Sequence, residues 1–313
     1  LTGPELIVHC DWSKNQNRRW MAEARLVDGK YLASAPELVG NLNDPFEAEN
    51  PFLTRIQRKR RQGTALIGFD FPIGLPKTYA GRIGARQFPA FLRSLEAESQ
   101  FFAVCSLENQ ISLVRPFYPH APGGKRQEQL TNALGIEFQQ LLRTCDQATH
   151  NRPEASALFW TLGAKQVGKA AIVGWRDVLA PALRAEEIKL WPFDGPLDSL
   201  LKTNQLIAAE TYPAQYYASI FGQLKGSKTN QIVRAESAPA IFAWAANRSD
   251  RLQLDSSLRS EIQSGFHHGD DAFDATIGLF GMIDAIQNYS PALEPKDTAV
   301  QRIEGWIFGQ PAN

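Results

Sequence analysis

Three apolar runs in this chain each end in a single acid just before the backbone turns: Cys10-Asp11, Phe69-Asp70 and Ala209-Glu210. Proline-containing breaks, Phe71-Pro72 and Thr211-Tyr212-Pro213, follow the last two at once and fix where those runs stop. More acids lie in His267-His268-Gly269-Asp270-Asp271-Ala272-Phe273-Asp274-Ala275. On a helix Asp271 and Asp274, at i and i+3, share one face about a turn apart. Carboxylates gathered at one spot repel and are driven to protonate unless a cation stands among them. Oxygen donors with no cysteine and few histidines point to Mg²⁺ or Mn²⁺ rather than zinc. Two such ions roughly 4 Å apart stabilise the attacking and leaving oxygens in phosphodiester cleavage, so the chemistry implied is metal-assisted hydrolysis. The candidate metal ligands are Asp11, Asp70, Glu210 and Asp274, with Asp271 as a further catalytic acid. Each acid also has an ordinary structural use, as turn chemistry at a strand end or as a favourable charge in a helix's first turn. That account serves Asp274 least, because it falls one turn inside an apolar helix.

Other residues could meet a phosphate or a base. Gly163-Ala164-Lys165-Gln166-Val167-Gly168-Lys169 fits the first seven positions of a P-loop, but Ala170 stands where a Ser or Thr would help hold Mg²⁺. Lys165 and Lys169 are therefore either phosphate-facing cations or solvated lysines on a turn between helices. Lys125 and Arg126 follow the aromatic group Phe117, Tyr118 and His120. That group, like Tyr212, Tyr216 and Tyr217, could stack bases or simply fill core. His268, and His267 beside it, could place a proton or a ligand near the acids, or be solvated where the helix begins. Arg55, Arg58, Lys59, Arg60 and Arg61 close another helical pattern, where cations oppose the helix dipole; the alternative is a phosphate patch.

The elements that must position these residues are legible in outline. Residues 5–10 read as a buried strand, and 19–27 with 30–35 as a hairpin turned by Asp28-Gly29. A helical pattern over 45–61 precedes a second buried strand at 65–69, and another helix is expected over 87–98. Residues 106–204 read as a helical insertion or subdomain. A third buried strand at 206–209 reaches Glu210. Helices are expected near 214–221, 230–246, 256–263 and 270–286, and a short apolar strand at 305–308. In an open α/β sheet the crevice beyond the carboxyl ends of parallel strands binds ligands, so the strand-end acids are expected to converge there.

Composition narrows the function. The 313 residues carry 33 Lys+Arg and 33 Asp+Glu, a formal charge of zero, which argues against broad nonspecific binding to long nucleic acid. With 43% hydrophobic and 10% aromatic residues the chain can bury a large core and is not of disordered composition. The three cysteines form no C-x-x-C pair, as expected for a reducing compartment. No run approaches the roughly 18 apolar residues of a membrane span, and no basic-then-apolar leader opens the sequence. A cytoplasmic protein that does not use a membrane is expected.

Several of these segments resemble a known family. Phe69-Asp70-Phe71-Pro72-Ile73-Gly74-Leu75-Pro76, Glu210-Thr211-Tyr212-Pro213-Ala214, the segment from His268 to Ala275, and Glu304-Gly305-Trp306-Ile307 look like, in order, the motifs of domain-of-unknown-function family 429. That family is placed among ribonuclease-H-like proteins and is called a predicted nuclease. The Asp271-x-x-Asp274-Ala275 step is also similar to the last helix of RuvC-type junction resolvases. The resemblance covers the two ends of the chain well and the middle poorly. It implies a ribonuclease-H-like mixed β-sheet flanked by helices, with a core of 1–105 and 205–313 interrupted at 106–204. It also implies a central first strand that sets Asp11 beside Asp70, with Glu210, Asp271 and Asp274 completing the acid set. Trp12-Ser13-Lys14 departs from the small, Gly-rich residues expected after the first acid. The expectation is a Mg²⁺- or Mn²⁺-dependent phosphodiester hydrolase acting on nucleic acid or a nucleotide, small or structured given the balanced charge. The alternatives are an ATP-using phosphotransferase or ATPase of related sheet architecture, and a non-catalytic binding module.

Overall fold

The computed structural model describes residues 3–42, 51–148, 154–162, 167–291 and 294–311. Its centre is a mixed sheet of β1 (Leu6–Asp11), β2 (Trp20–Val27), β3 (Lys30–Ala33), β4 (Glu37–Leu38), β5 (Ala65–Phe69), β6 (Ile188–Leu190), β7 (Leu206–Glu210) and β8 (Leu252–Leu254). The strand order is β6-β7-β5-β1-β2-β3-β8, with β4 set against β2. β1, β2 and β3 form an antiparallel meander. Asp28 (φ 49°) and Gly29 (φ 80°) turn its second hairpin, both in the left-handed region whose twist suits adjacent strands. On the other side of β1, β5, β7 and β6 run parallel to it. β1 therefore lies inside the sheet, where both of its faces are covered; this explains its uninterrupted apolar sequence.

Strand alternation divides the interior in two. Leu6, Val8 and Cys10 of β1 join Ile67, Phe69, Phe71, Phe88, Phe101 and Trp175 on one face. Ile7 joins Leu66, Ile207 and the apolar side of helix Asp270–Gln287 on the other. That helix lies close to β1: a Cβ added at Gly278 would stand 2.2 Å from the His9 ring. Contact at this depth fixes the helix along the sheet, and so fixes the height at which Asp274, one turn earlier on the same stripe, reaches the strand ends.

The expected elements are largely present, with shifted ends. The helical pattern expected over 45–61 is a helix over Pro51–Lys59, its first residues lying outside the described ones. The helix expected at 230–246 breaks into Gln231–Glu236 and Ala238–Ala246. The strand expected at 305–308 is reduced to one parallel bridge, Glu210 to Ile307. The region 106–204, expected as a helical insertion, also supplies β6 at the sheet edge, and its Phe117, Leu130, Phe159 and Trp175 share one core with β1 and β5. Apolar material there is too short and irregular in period to reveal a three-residue edge strand. No helix among the described residues is long and apolar enough to cross a membrane.

Candidate functional site

Register decides which acids meet. Cys10 aligns with Phe69, and Phe69 with Glu210. The ladder continues with Asp70 N–H donating to Cys10 O (3.3 Å) and Thr211 N–H to Phe69 O (2.7 Å). Asp11 is thus level with Asp70, and Asp70 with Thr211. In-register neighbours share a face of the pleat, so Asp11, Asp70 and Thr211 turn toward helix Asp270–Gln287, as do Ile7, Leu66 and Ala209 behind them. Asp271 and Asp274 line the same cleft from the helix's first turns. The cleft has a volume of about 750 Å³.

Asp11 and Asp70 form its floor. Burial raises the pKa of both. For Asp11 the neighbouring Asp70, Asp274 and Asp271 carboxylates push it further, well above the ordinary carboxylate range. For Asp70 the rise, to about 7, is checked by the Trp12 N–H, donated at 2.6 Å, and by a hydrogen bond with the Asp11 carboxyl. Burial and the mutual repulsion of the two carboxyls thus favour the protonated form across the pair. Asp274, 5% exposed, accepts from the Tyr217 hydroxyl and from Lys228 Nζ. Arg18 holds Asp271 in a fork, Nε to Oδ2 at 2.8 Å and Nη2 to Oδ1 at 2.7 Å.

Glu210 requires a correction. Glu210 also lines the cleft, but, one residue out of phase with Asp11 and Asp70, its side chain is turned to the other face of the sheet, among the neighbours of Leu206 and Ala208. There Arg143, fully buried, gives both Nη atoms to it at 2.6 Å, and Ile73 N–H adds a bond of 2.7 Å. Arg143 spends its other donors on Asp146 (Nε to Oδ2 2.9 Å, Nη2 to Oδ1 2.8 Å) and on Glu304 O (3.2 Å). Both Glu210 oxygens are therefore held by a fixed cation and a backbone amide, and its role is to tie residues 143–146 to the sheet. Glu304, from the resemblance motif, is also structural: its carboxylate accepts from Thr144 Oγ1 (2.6 Å) and Lys77 N–H (3.2 Å).

The predicted cations divide. Lys169 lines the cleft, with its Nζ on His120 O at 3.1 Å; burial and the nearby Lys14 ammonium lower its pKa. Lys165 lies outside the described residues. Lys125 and Arg126 are not on the cleft: Lys125 stands 6.0 Å over the Tyr118 ring, and the Arg126 backbone amide binds Gln129. His268 is also off the cleft, its ring 5.1 Å from Trp20. Lys59 pairs with Glu23 and Glu37, and Arg55 with Val39 O, so that basic run fastens a helix to the sheet. Tyr118, Tyr216 and Phe117 are core.

Sequence reasoning missed Lys14, Arg18, Lys228 and Thr211 at the cleft, and Arg143 beneath it. Tyr217, read as a stacking ring, uses its hydroxyl on Asp274. Thr211 is 2% exposed, and its hydroxyl has no hydrogen-bond partner within the described chain. The only signal for Thr211 was its place directly after a strand-end acid.

Among the described residues, two groups of three His, Cys, Asp or Glu side chains have ligand atoms all within 4.8 Å of one another: Cys145–Asp146–Glu210 and Glu261–His267–His268. The first is closed by the Arg143 guanidinium. The Asp11, Asp70 and Asp274 carboxylates do not all come within 4.8 Å of one another, and Lys228 is seated on Asp274. The Asp11–Asp70 pair itself could hold a hard divalent cation: two adjacent, half-buried carboxyls, each with its pKa raised, lose their mutual repulsion when a cation stands between them. No protein-family model, curated protein or solved structure matches this chain.

Proposed function

We propose that this protein is a Mg²⁺- or Mn²⁺-dependent phosphodiester hydrolase of the nuclease kind, on a ribonuclease-H-like sheet and related to domain-of-unknown-function family 429. The observation that carries the reading is the Asp11–Asp70 pair at the ends of adjacent parallel strands, in a cleft that Asp271 and Asp274 enter from a helix. Sheet order supports it: β1 lies inside a mixed sheet beside parallel β5, the central placement that the resemblance implies for the first strand. Asp11 and Asp70 would hold the ion, and Asp274, whose charge both of them feel, is the further acid of the set. A bound ion supplies Lewis-acid charge stabilisation and lowers the pKa of water.

The remaining groups suit an anionic substrate. Lys14 and Lys169 line the cleft as neighbouring cations, placed to take phosphate oxygens. Arg18 keeps Asp271 oriented, and Tyr217 with Lys228 works against the rise that burial imposes on the Asp274 pKa. A phosphotransferase built on the Gly163-to-Lys169 segment is less well supported, because residues 154–162 ahead of it hold a single β-bridge, Trp160 to Tyr118, rather than the strand a P-loop requires.

Hydrolysis of labelled DNA, RNA and dinucleotide panels with Mg²⁺ or Mn²⁺ tests the proposal. Asp70→Asn and Asp274→Asn should each lower the rate at least about a hundredfold, the scale of losing a principal electrostatic contribution. Hydrolysis unchanged in both variants, or absent from every panel while the metal fails to bind, overturns it and leaves a binding module.

A further inference from the structure

Away from the cleft, the turn between helices Ser256–Ser264 and Asp270–Gln287 carries a second constellation. Glu261, His267 and His268 each present one ligand atom, all within 4.8 Å of one another. His267 Nδ1 lies 3.0 Å from Glu261 Oε1. The other Glu261 oxygen, Oε2, is buried and has no hydrogen-bond partner. A buried carboxyl oxygen left without a partner costs of order a few kcal/mol unless a donor or cation meets it.

The turn is built rigidly. Gly265 and Phe266 cap the first helix through bonds to Ile262 O (3.2 Å) and Glu261 O (2.9 Å), so the backbone ties Glu261 to the residue before His267. Phe266 adopts φ 56°, uncommon for a bulky side chain, and is held there by complete burial. Arg234, also buried, clamps Gly265 O at 2.8 Å and Phe266 O at 3.0 Å. The His268 ring lies against Trp20, which pairs with Asp11 across β1 and β2. His267 sits 3.8 Å from His268, ring centre to ring centre, and both are exposed to water.

The geometry points to a zinc site at Glu261, His267 and His268. Two imidazoles and one carboxylate are a borderline donor set that favours Zn²⁺ over Mg²⁺, and solvent completes the tetrahedron. Zn–N and Zn–O bonds of about 2.1 Å put tetrahedral donors roughly 3.4 Å apart, which the present spacing reaches by small side-chain rotations. The ion joins the end of one helix to the residues that start the next, directly ahead of Asp271 and Asp274. It is separate from the Asp11–Asp70 cleft and does not depend on the nature of the reaction there.

The test is calorimetric titration of Zn²⁺ into the tag-free full chain, stripped with chelator and saturated with Mg²⁺. One equivalent should bind and raise the melting temperature. Loss of an outer-shell partner alone weakens metal affinity about 10–100-fold, so His267→Ala and His268→Ala should each weaken it more than about a hundredfold. Glu261→Gln, which keeps the shape of the turn, should also lose the zinc-dependent rise in melting temperature, and Asp70→Asn should keep it. Zinc binding no tighter than about 1 mM, or binding left unchanged in the histidine variants but lost in Asp70→Asn, overturns the assignment.

Discussion

Arg143 offers the sharpest test of how the cleft is supported. All of its guanidinium donors are used, on Asp146, Glu210 and Glu304 O, with no part of it exposed. Arg143→Met keeps the volume and removes the charge, leaving two buried carboxylates facing each other. Breaking a buried pair by deleting one partner costs about 3–5 kcal/mol. Unfolding entropy of about 2.1 cal/mol/K per residue over 313 residues gives about 0.66 kcal/mol/K, so the melting temperature should fall by about 5–8 °C. Glu210→Gln should fall less, by about 2–5 °C, because an amide oxygen still accepts one bond but leaves a donor unmatched. Arg143→Met combined with Asp146→Leu and Glu210→Met should recover most of the loss, since an apolar cluster of similar volume replaces a buried ion network at little net cost. The assay is thermal unfolding with and without Mn²⁺. If Glu210→Gln left the melting temperature unchanged or raised it, and weakened Mn²⁺ binding instead, Glu210 would be a metal ligand after all and the register argument would fail.

The other expectations follow from charge and packing. Asp70, with its pKa raised from 3.8 to about 7, binds its proton more tightly folded than unfolded, so its contribution to stability declines as pH rises across that window. Asp70→Asn removes the penalty; it should stabilise the chain at pH 8 by up to about 4 kcal/mol, at about 1.4 kcal/mol per unit, and have little effect at pH 4. A melting-temperature difference that did not change with pH would refute this. Gly278→Ala puts a methyl 2.2 Å from the His9 ring and forces the helix off β1. Overpacking of this kind costs about 1–3 kcal/mol, and His9→Ala in the same chain should relieve it, as compared by urea unfolding of the single and double variants.

The sequence alone determined the strand-end acids as a group and most of the strands that carry them. An apolar run of strand length that stops at an acid and a proline can do little else, and Asp28-Gly29 admits only a tight turn. Helix Asp270–Gln287 was legible for the same local reason, a long apolar stretch behind acidic residues at its start. Tertiary structure decided which of the acids face one another. Side chains alternate along a strand, so a shift of one residue between β5 and β7 puts Thr211, not Glu210, beside Asp70, and no local pattern records that shift. The same holds for Arg143, Lys228 and β6, which come from segments without a clear period and meet the sheet only when the chain closes over it. Local propensity is a property of neighbours in sequence; a site is a property of neighbours in space, and for this chain the two diverge at the single residue step between Glu210 and Thr211.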